Sequence, residues 1–371
     1  MKYNSLRATA LIFLLVLAYS AKAQVKQKQY TDYHVHLQDS ATVQLGYQML
    51  KVFHQKPTKT DSICFDADTV IERLNRAKFQ SAWIISNAYW FGSPLTPVAH
   101  EYEKVKQQND WIAAQAAKYP NRLNAFMSVN PLKPYALNEI ERCAVTRHFT
   151  GIKLHFANSK VNLFNKSQVA QLQKVFAIAN KYNLLLLVHF RSAEKWDGEA
   201  NTNILLKQVL PFAKNTKVVI AHMAGWGGYD WQTRKALSLI SAYLHRDKAA
   251  HRNLYLDISA VFPISSGDQK STSSKSASQL LTAFKQQVNK IGTDHVVFGT
   301  DWPLIDIDPY IKLLIKNLGA KTTQQILNTR VVPIENYFFT KLTGSTSWLS
   351  SLPNSSQRLA GLPAVPPLLS M

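Results

Sequence analysis

"NLLLLVHF", residues 183–190, decides how this chain folds. Its unbroken apolar run lacks the in–out alternation of a strand with one wet face, so it fits a strand covered on both sides, as in a parallel sheet. A histidine closes it. "KVVIAHM" (217–223) is built the same way, and six more short apolar or β-branched runs share the chain: "TDYHVHL" (31–37), "SAWIISNAYW" (81–90), "RLNAFMSVN" (122–130), "TGIKLHF" (150–156), "LYLDISA" (254–260) and "HVVFGTD" (295–301). Between most of them lie segments such as "SQVAQLQKVFAIANKY" (167–182), whose apolar residues recur every three or four positions, the period of an amphipathic helix. From the fourth run to the eighth, successive starts are 33 to 41 residues apart, which is one strand and one crossover helix per step. The expected architecture is an α/β (β/α)8 TIM barrel of parallel strands. A doubly wound open sheet is the competing arrangement, and it accounts less well for where the polar residues fall.

The rest of the chain frames this barrel. Lys2 and Arg7 precede the apolar run "ALIFLLVLAY", and "AKA" follows at 21–23, so residues 1–23 read as a signal peptide cleaved after Ala23. The run is about half of the ~20 residues needed to cross a bilayer, which argues against a stable membrane anchor. The expected location is therefore periplasmic or extracellular. With only Cys64 and Cys143, a disulfide framework is limited to one bridge, and whether they pair stays open. Residues 24–342 form the barrel, and residues 343–371 form a loosely ordered tail. Residues 38–80 are too long for a simple first crossover, so extra structure over the barrel mouth is expected there. "SSGDQKSTSSKSAS" (265–278) reads as a mobile loop, either a lid or a solvated insertion.

A composition with 46% hydrophobic and 18% charged residues excludes a chain disordered throughout. The formal charge is +20, and +17 without residues 1–23, which carry Lys2, Arg7 and Lys22 and no acid. Such a balance favours anionic small molecules or surfaces. The basic residues are scattered and no nucleic-acid motif is present, so nucleic acid is not expected as a partner. A homo-oligomer is compatible with the sequence.

Polar residues close many of the runs. His34 and His36 alternate with Val35 and so face the same way, with Asp32 expected below them. Lys153 and His155 close the fourth run, His189 the fifth, His222 the sixth and Asp301 the eighth. In this fold the C-terminal strand ends build the active site, so these residues converge there. Imidazole nitrogens and a carboxylate suit a divalent metal such as zinc, and three or four of them leave a position for water or substrate. Tyr89, Trp90, Phe91, Trp196, Trp226 and Trp302 follow strand ends and point to an aromatic-lined pocket for an anionic, cyclic or aromatic substrate.

In order along the chain, "DYHVHL", "GIKLH", "LLVHF", "VIAHMAGW" and "FGTDWP" resemble the amidohydrolase superfamily, and within it the amidohydrolase-related (family 2) branch, over roughly residues 30–340. The resemblance implies that His34, His36, His189 and Asp301 bind one metal, with zinc expected and manganese the other candidate. It makes Asp301 the general acid/base, assisted by His222. Binuclear relatives use a carboxylated lysine at the position of Lys153 to bridge two ions. The single-metal alternative, preferred here, makes Lys153 and Arg191 anion contacts, with His155 and Trp302 as further substrate-binding candidates. The function expected is hydrolysis of an amide, ester or lactone carbonyl by metal-activated water. Non-oxidative decarboxylation of a cyclic or aromatic acid is the alternative, and a barrel that binds ligands without turnover is the reading from another class.

Overall fold

The computed structural model describes residues 29–331 except 53, 193–195, 227, 247–252 and 265–275. The expected signal peptide, the C-terminal tail and most of the Ser-rich loop lie outside the described residues. Eight parallel strands follow one another in chain order: β1 (Thr31–His36), β2 (Ser81–Ile85), β3 (Leu123–Ser128), β4 (Phe149–His155), β5 (Leu185–His189), β6 (Val218–Ile220), β7 (Leu254–Asp257) and β8 (Val296–Val297). The ring is completed by hydrogen bonds from Tyr33 N–H to Phe298 O (3.0 Å), Asp301 N–H to His34 O (2.9 Å) and His36 N–H to Trp302 O (2.8 Å). The fold is a (β/α)8 barrel.

The crossover helices form because their sequences satisfy both ends and one face. The Asn165 side chain accepts from the Ser167 and Gln168 amides at the start of helix Lys166–Lys181, meeting donors that have no partner within the helix. That helix buries Val169, Leu172, Val175, Phe176 and Ala179, the stripe anticipated from the 3–4 spacing. Truncating the fully buried Phe176 to alanine costs about 3–5 kcal/mol. Between strands and helices lies a continuous apolar layer that includes Val35, Ile84, Met127, Leu154, Val188 and Leu256.

Three departures from the sequence reading bear on the site. β1 carries a bulge: Asp32 pairs with Ala82 and Val35 with Ile84, leaving Tyr33 and His34 together opposite Trp83. Simple alternation would set Asp32 beneath the two histidines. The extra residue instead puts Asp32 on the other face, where its carboxylate lies 3.5 Å from Arg73 of helix Ala67–Ala77. Residues 38–80 fold into helices Ser40–Val52 and Ala67–Ala77 with a short 3-10 turn at Lys59–Ser62 between them. Finally, Ala277 and Ser278 belong to a helix and not to a loop: Ser276 caps helix Ala277–Ile291 in a reciprocal pair with Gln279. Cys64 is exposed and Cys143 buried, and both are free thiols. Among the described residues no helix is long and apolar enough to cross a membrane.

Candidate metal centre and substrate cavity

The bulge in β1 leaves His34 and His36 on the inner face at the barrel mouth. Fully buried His34 donates from Nδ1 to Asp257 Oδ2 at 2.9 Å, and His36 donates from Nδ1 to Asn87 Oδ1 at 2.7 Å. A proton fixed on Nδ1 leaves Nε2 of each ring as a lone pair. These two Nε2 atoms are 3.3 Å apart, and Asp301 Oδ1 lies 3.3 Å from one and 3.4 Å from the other. Three acceptors this close repel one another unless a cation offsets them, and the Lys153 ammonium reaches one of the three, His34 Nε2, at 2.9 Å. Their N/O donor set and the acid and amide behind each imidazole fit a divalent metal.

Asp301 reaches this point from beyond β8, in a left-handed conformation (φ 60°). Its approach depends on Gly299, where a Cβ would stand 3.0 Å from His34 Cβ and 3.2 Å from Ser259 Cβ. Thr300 anchors the same turn, donating from its backbone (3.0 Å) and hydroxyl (2.7 Å) to Asp32. Burial raises the Asp32 carboxyl to about 6, with Arg73 and the Thr300 hydroxyl opposing the rise.

Asp257 ties the mouth together. Its Oδ1 accepts from the backbone of His222 (2.9 Å) and Ser259 (3.0 Å), while its Oδ2 holds His34. His222 lies in the turn after β6, where it, Met223 and Ala224 all have positive φ. Its Nδ1 donates to Ser259 O at 3.0 Å and its ring stacks on His34 at 4.9 Å, so its Nε2 is also a lone pair when the ring is neutral.

The β4 and β5 ends differ. Lys153 Nζ donates to His34 Nε2 at 2.9 Å. His189 stands apart from the tight cluster of His34, His36 and Asp301, yet its Nε2 is buried with no partner among the described residues. Such an orphan costs about 1–3 kcal/mol unless a metal or ligand satisfies it. His155 stacks flat on His189 (3.9 Å, 8°), Tyr89 lies over the other side of His155 (5.1 Å), and Trp226 presents an edge-on contact to His189 (5.0 Å).

Burial disfavours charge on three of these imidazoles. Burial and then Lys153 bring His34 down to about 3 against the pull of Asp257 and Asp301. Burial likewise holds His155 and His189 well below the usual imidazole range. Lys153 falls to about 8 through burial, opposed by Asp301 and Asp257. For Asp301, burial favours protonation but is outweighed by His34 and His222, so the carboxyl stays well below its ordinary value.

A cavity of about 700 Å³ opens above them, lined by His36, Lys153, His155, His189, His222 and Asp301, by Tyr89, Trp90 and Trp226, and by Gly46, Met49 and Leu50 of helix Ser40–Val52. Two expected substrate contacts are elsewhere. Arg191 is ion-paired with Asp230, bonds Thr233 (3.3 Å) and does not line the cavity. The Trp302 ring is covered by the Arg73 guanidinium at 4.0 Å and packs on Phe65, so its neighbours Pro303 and Leu304 form the wall in its stead. Of the other aromatics, Phe91 is buried beside Leu45 and Val105, and Trp196 packs on Phe190. Asp257, Asn87, Ser259 and Arg73 were not anticipated. "LYLD" and "WIISN" carry the signal that marked the others, a polar residue closing an apolar run.

A family model described as amidohydrolase matches residues 31–323. The γ-resorcylate decarboxylase of Polaromonas sp. (strain JS666 / ATCC BAA-500) is 26% identical over 235 residues, covering 56% of this chain and 68% of that protein. Two solved structures share the fold at 15% identity. One is dihydroxybenzoic acid decarboxylase from Polaromonas sp. JS666 with bound manganese and the inhibitor 2-nitroresorcinol (TM-score 0.56; 85% of this chain, 98% of that one). The other is 5-carboxyvanillate decarboxylase from Novosphingobium aromaticivorans DSM 12444, complexed with manganese and 4-hydroxy-3-methoxy-5-nitrobenzoic acid (TM-score 0.57; 85% and 97%).

Proposed function

This chain belongs to the amidohydrolase family, and from that premise we propose that it is a metal-dependent, non-oxidative decarboxylase of an aromatic hydroxy acid. The observation that carries the reading is the His34–His36–Asp301 acceptor cluster at the floor of an aromatic-walled cavity, in a chain whose curated relative is a decarboxylase. Hydrolysis of an amide, ester or lactone, the first expectation from sequence, has less support from these relatives.

Decarboxylation replaces a carboxyl group on the ring by a proton. The ring–carboxyl bond breaks, its electron pair stays on the ring carbon, carbon dioxide leaves, and no oxidant is consumed. Two residues at the cavity can hold the proton. Asp301 Oδ1 faces the cavity beside His34 and His36, and its carboxylate can take the proton of a ring hydroxyl and return it to the ring carbon. His222, with Nδ1 fixed on Ser259 O, offers Nε2 as the second station. His34, His36 and Asp301 would hold a divalent cation, with His189 facing the same cavity, and that cation would offset the charge of the carboxylate and the ring oxygen. Manganese is preferred to zinc, since two solved structures sharing the fold contain it and the N/O donor set accepts it. One ion is proposed, with Lys153 remaining an ammonium.

The test is to give the manganese-loaded chain 2,6-dihydroxybenzoate in one arm and aryl esters and lactones in another. Carbon dioxide with stoichiometric resorcinol supports the reading, whereas hydrolysis without carbon dioxide release overturns it. The leader-like residues 1–23 place the activity outside the cytoplasm in this proposal. A secreted chain beginning at Gln24 is the expected product, and a chain retained in the cytoplasm with Met1 intact would contradict it.

A further inference from the structure

The tautomers at the mouth are not all alike. His34, His36 and His222 each donate from Nδ1, to Asp257, Asn87 and the Ser259 carbonyl, and so turn a lone pair outward at Nε2. His155 is reversed: its Nδ1 faces the backbone N–H of Asn158 at 3.3 Å and must accept from it. The neutral ring then carries its proton on Nε2, and that N–H cannot serve as a metal ligand. The residue lines the cavity, clamped between the Tyr89 and His189 rings. Its backbone carbonyl accepts from Ser159 N–H at 3.0 Å, and the Asn158 carbonyl accepts from the Ser93 hydroxyl at 2.7 Å, which fixes the turn that sets the tautomer.

Lys153 and His155 are two residues apart on β4 and therefore share a face. One brings an ammonium and the other an N–H, while His36 and His222 bring lone pairs that repel an anionic oxygen. We infer that Lys153 and His155 form a two-donor clamp for the substrate carboxylate, with the His155 donor set by the Asn158 amide. His155 thus selects for acids over the corresponding phenols. The inference rests on the decarboxylase reading for its substrate class, but it is tested by binding and not by turnover.

The probes are 2,6-dihydroxybenzoate and resorcinol, titrated calorimetrically into the manganese-loaded full chain, with metal content measured in parallel. His155→Phe keeps a ring in the stack and removes the N–H, and His155→Leu does the same work where the phenylalanine does not fold. A hydrogen bond to a charged group predicts a loss of about 10- to 100-fold for the acid. Resorcinol affinity and metal content should not change, and His155→Gln, which retains a donor, should recover most of the loss. Unchanged acid affinity overturns the inference, as does an equal loss for resorcinol or a loss of bound metal. If the wild-type chain binds the acid without releasing carbon dioxide, the decarboxylase reading falls and the clamp is judged on binding alone. If it releases carbon dioxide and His155→Phe binds the acid normally, only the clamp falls. A wild-type chain that does not bind the acid overturns both.

Discussion

The two sides of the barrel mouth are built by different means. On the β1/β8 side each ligand atom is braced from behind: His34 by Asp257, His36 by Asn87, and the Asp301 backbone by the His34 carbonyl. On the β4/β5 side the rings are held mainly by faces, in a column running from Tyr89 through His155 and His189 to Trp226. Hydrogen bonds fix direction to a few tenths of an ångström, as a metal's coordination geometry requires. Stacking fixes a plane and tolerates sliding, which suits a flat substrate. The first side carries the carboxylates of Asp257 and Asp301 and the second the ammonium of Lys153, which reaches across to His34 Nε2 at 2.9 Å, so in the proposed reading the first half would hold the cation and the second would bind the acid.

Asp301→Ala should break the first half most severely. It removes one of three converging acceptors and a proton station together, so kcat is expected to fall by about 10³-fold or more, with manganese content falling in the same preparation. A loss under tenfold would mean that the two halves do not divide the work in this way. Asp257→Asn comes next in size. It leaves the acceptor cluster intact but takes the carboxylate from His34 Nδ1, and an outer partner of this kind is worth about 10- to 100-fold in metal affinity. Chelator competition reads that value directly, and an unchanged affinity would show that Ser259 Oγ, 3.1 Å from His34 Nδ1, holds the His34 tautomer alone.

These two residues also mark what the sequence discloses. Asp301 was legible because it closes a strand-like run and repeats a pattern seen at His189 and His222. Asp257 closes "LYLD" by the same rule but acts on ligands and not as one, and residue type does not separate those roles. The bulge in β1 was illegible for another reason: alternation is a local rule, and the register that breaks it is fixed by pairing with Ala82 and Ile84 of β2, some 50 residues away. Arg191, expected as a substrate contact, is ion-paired with Asp230 on another loop, and no sequence spacing shows that its charge is already matched.

Lys153→Met tests the second half and should separate stability from function. Burial brings Lys153 from 10.5 to about 8, so between pH 8 and 10.5 the unfolded chain binds more protons than the folded one and stability rises with pH. Below pH 8 the folded ammonium carries its full penalty, about 3 kcal/mol from a shift of this size. The methionine variant is therefore expected to be more stable at pH 7, with the gain shrinking toward pH 10.5, while acid binding weakens about tenfold. Denaturant unfolding at pH 7 and pH 10 checks the first expectation. A variant less stable at pH 7 would mean that the contact with His34 outweighs the cost of burying the charge.

The smallest effect is expected at the outer end of the column. Trp226 is 41% exposed and meets His189 edge-on at 5.0 Å, so it is both a cavity wall and a lid on the stack. Aromatic pairs of this kind are worth about 0.5–1.5 kcal/mol beyond the area they bury. Trp226→Leu should raise KM for an aromatic acid by about 2- to 10-fold and leave kcat and metal content unchanged, because it lies outside the His34, His36 and Asp301 cluster. A fall in bound manganese would show that the stack, and not only the braced histidines, sets the position of His189. The division between a hydrogen-bonded half and a stacked half would then hold for His34 and His36 but not for the third imidazole.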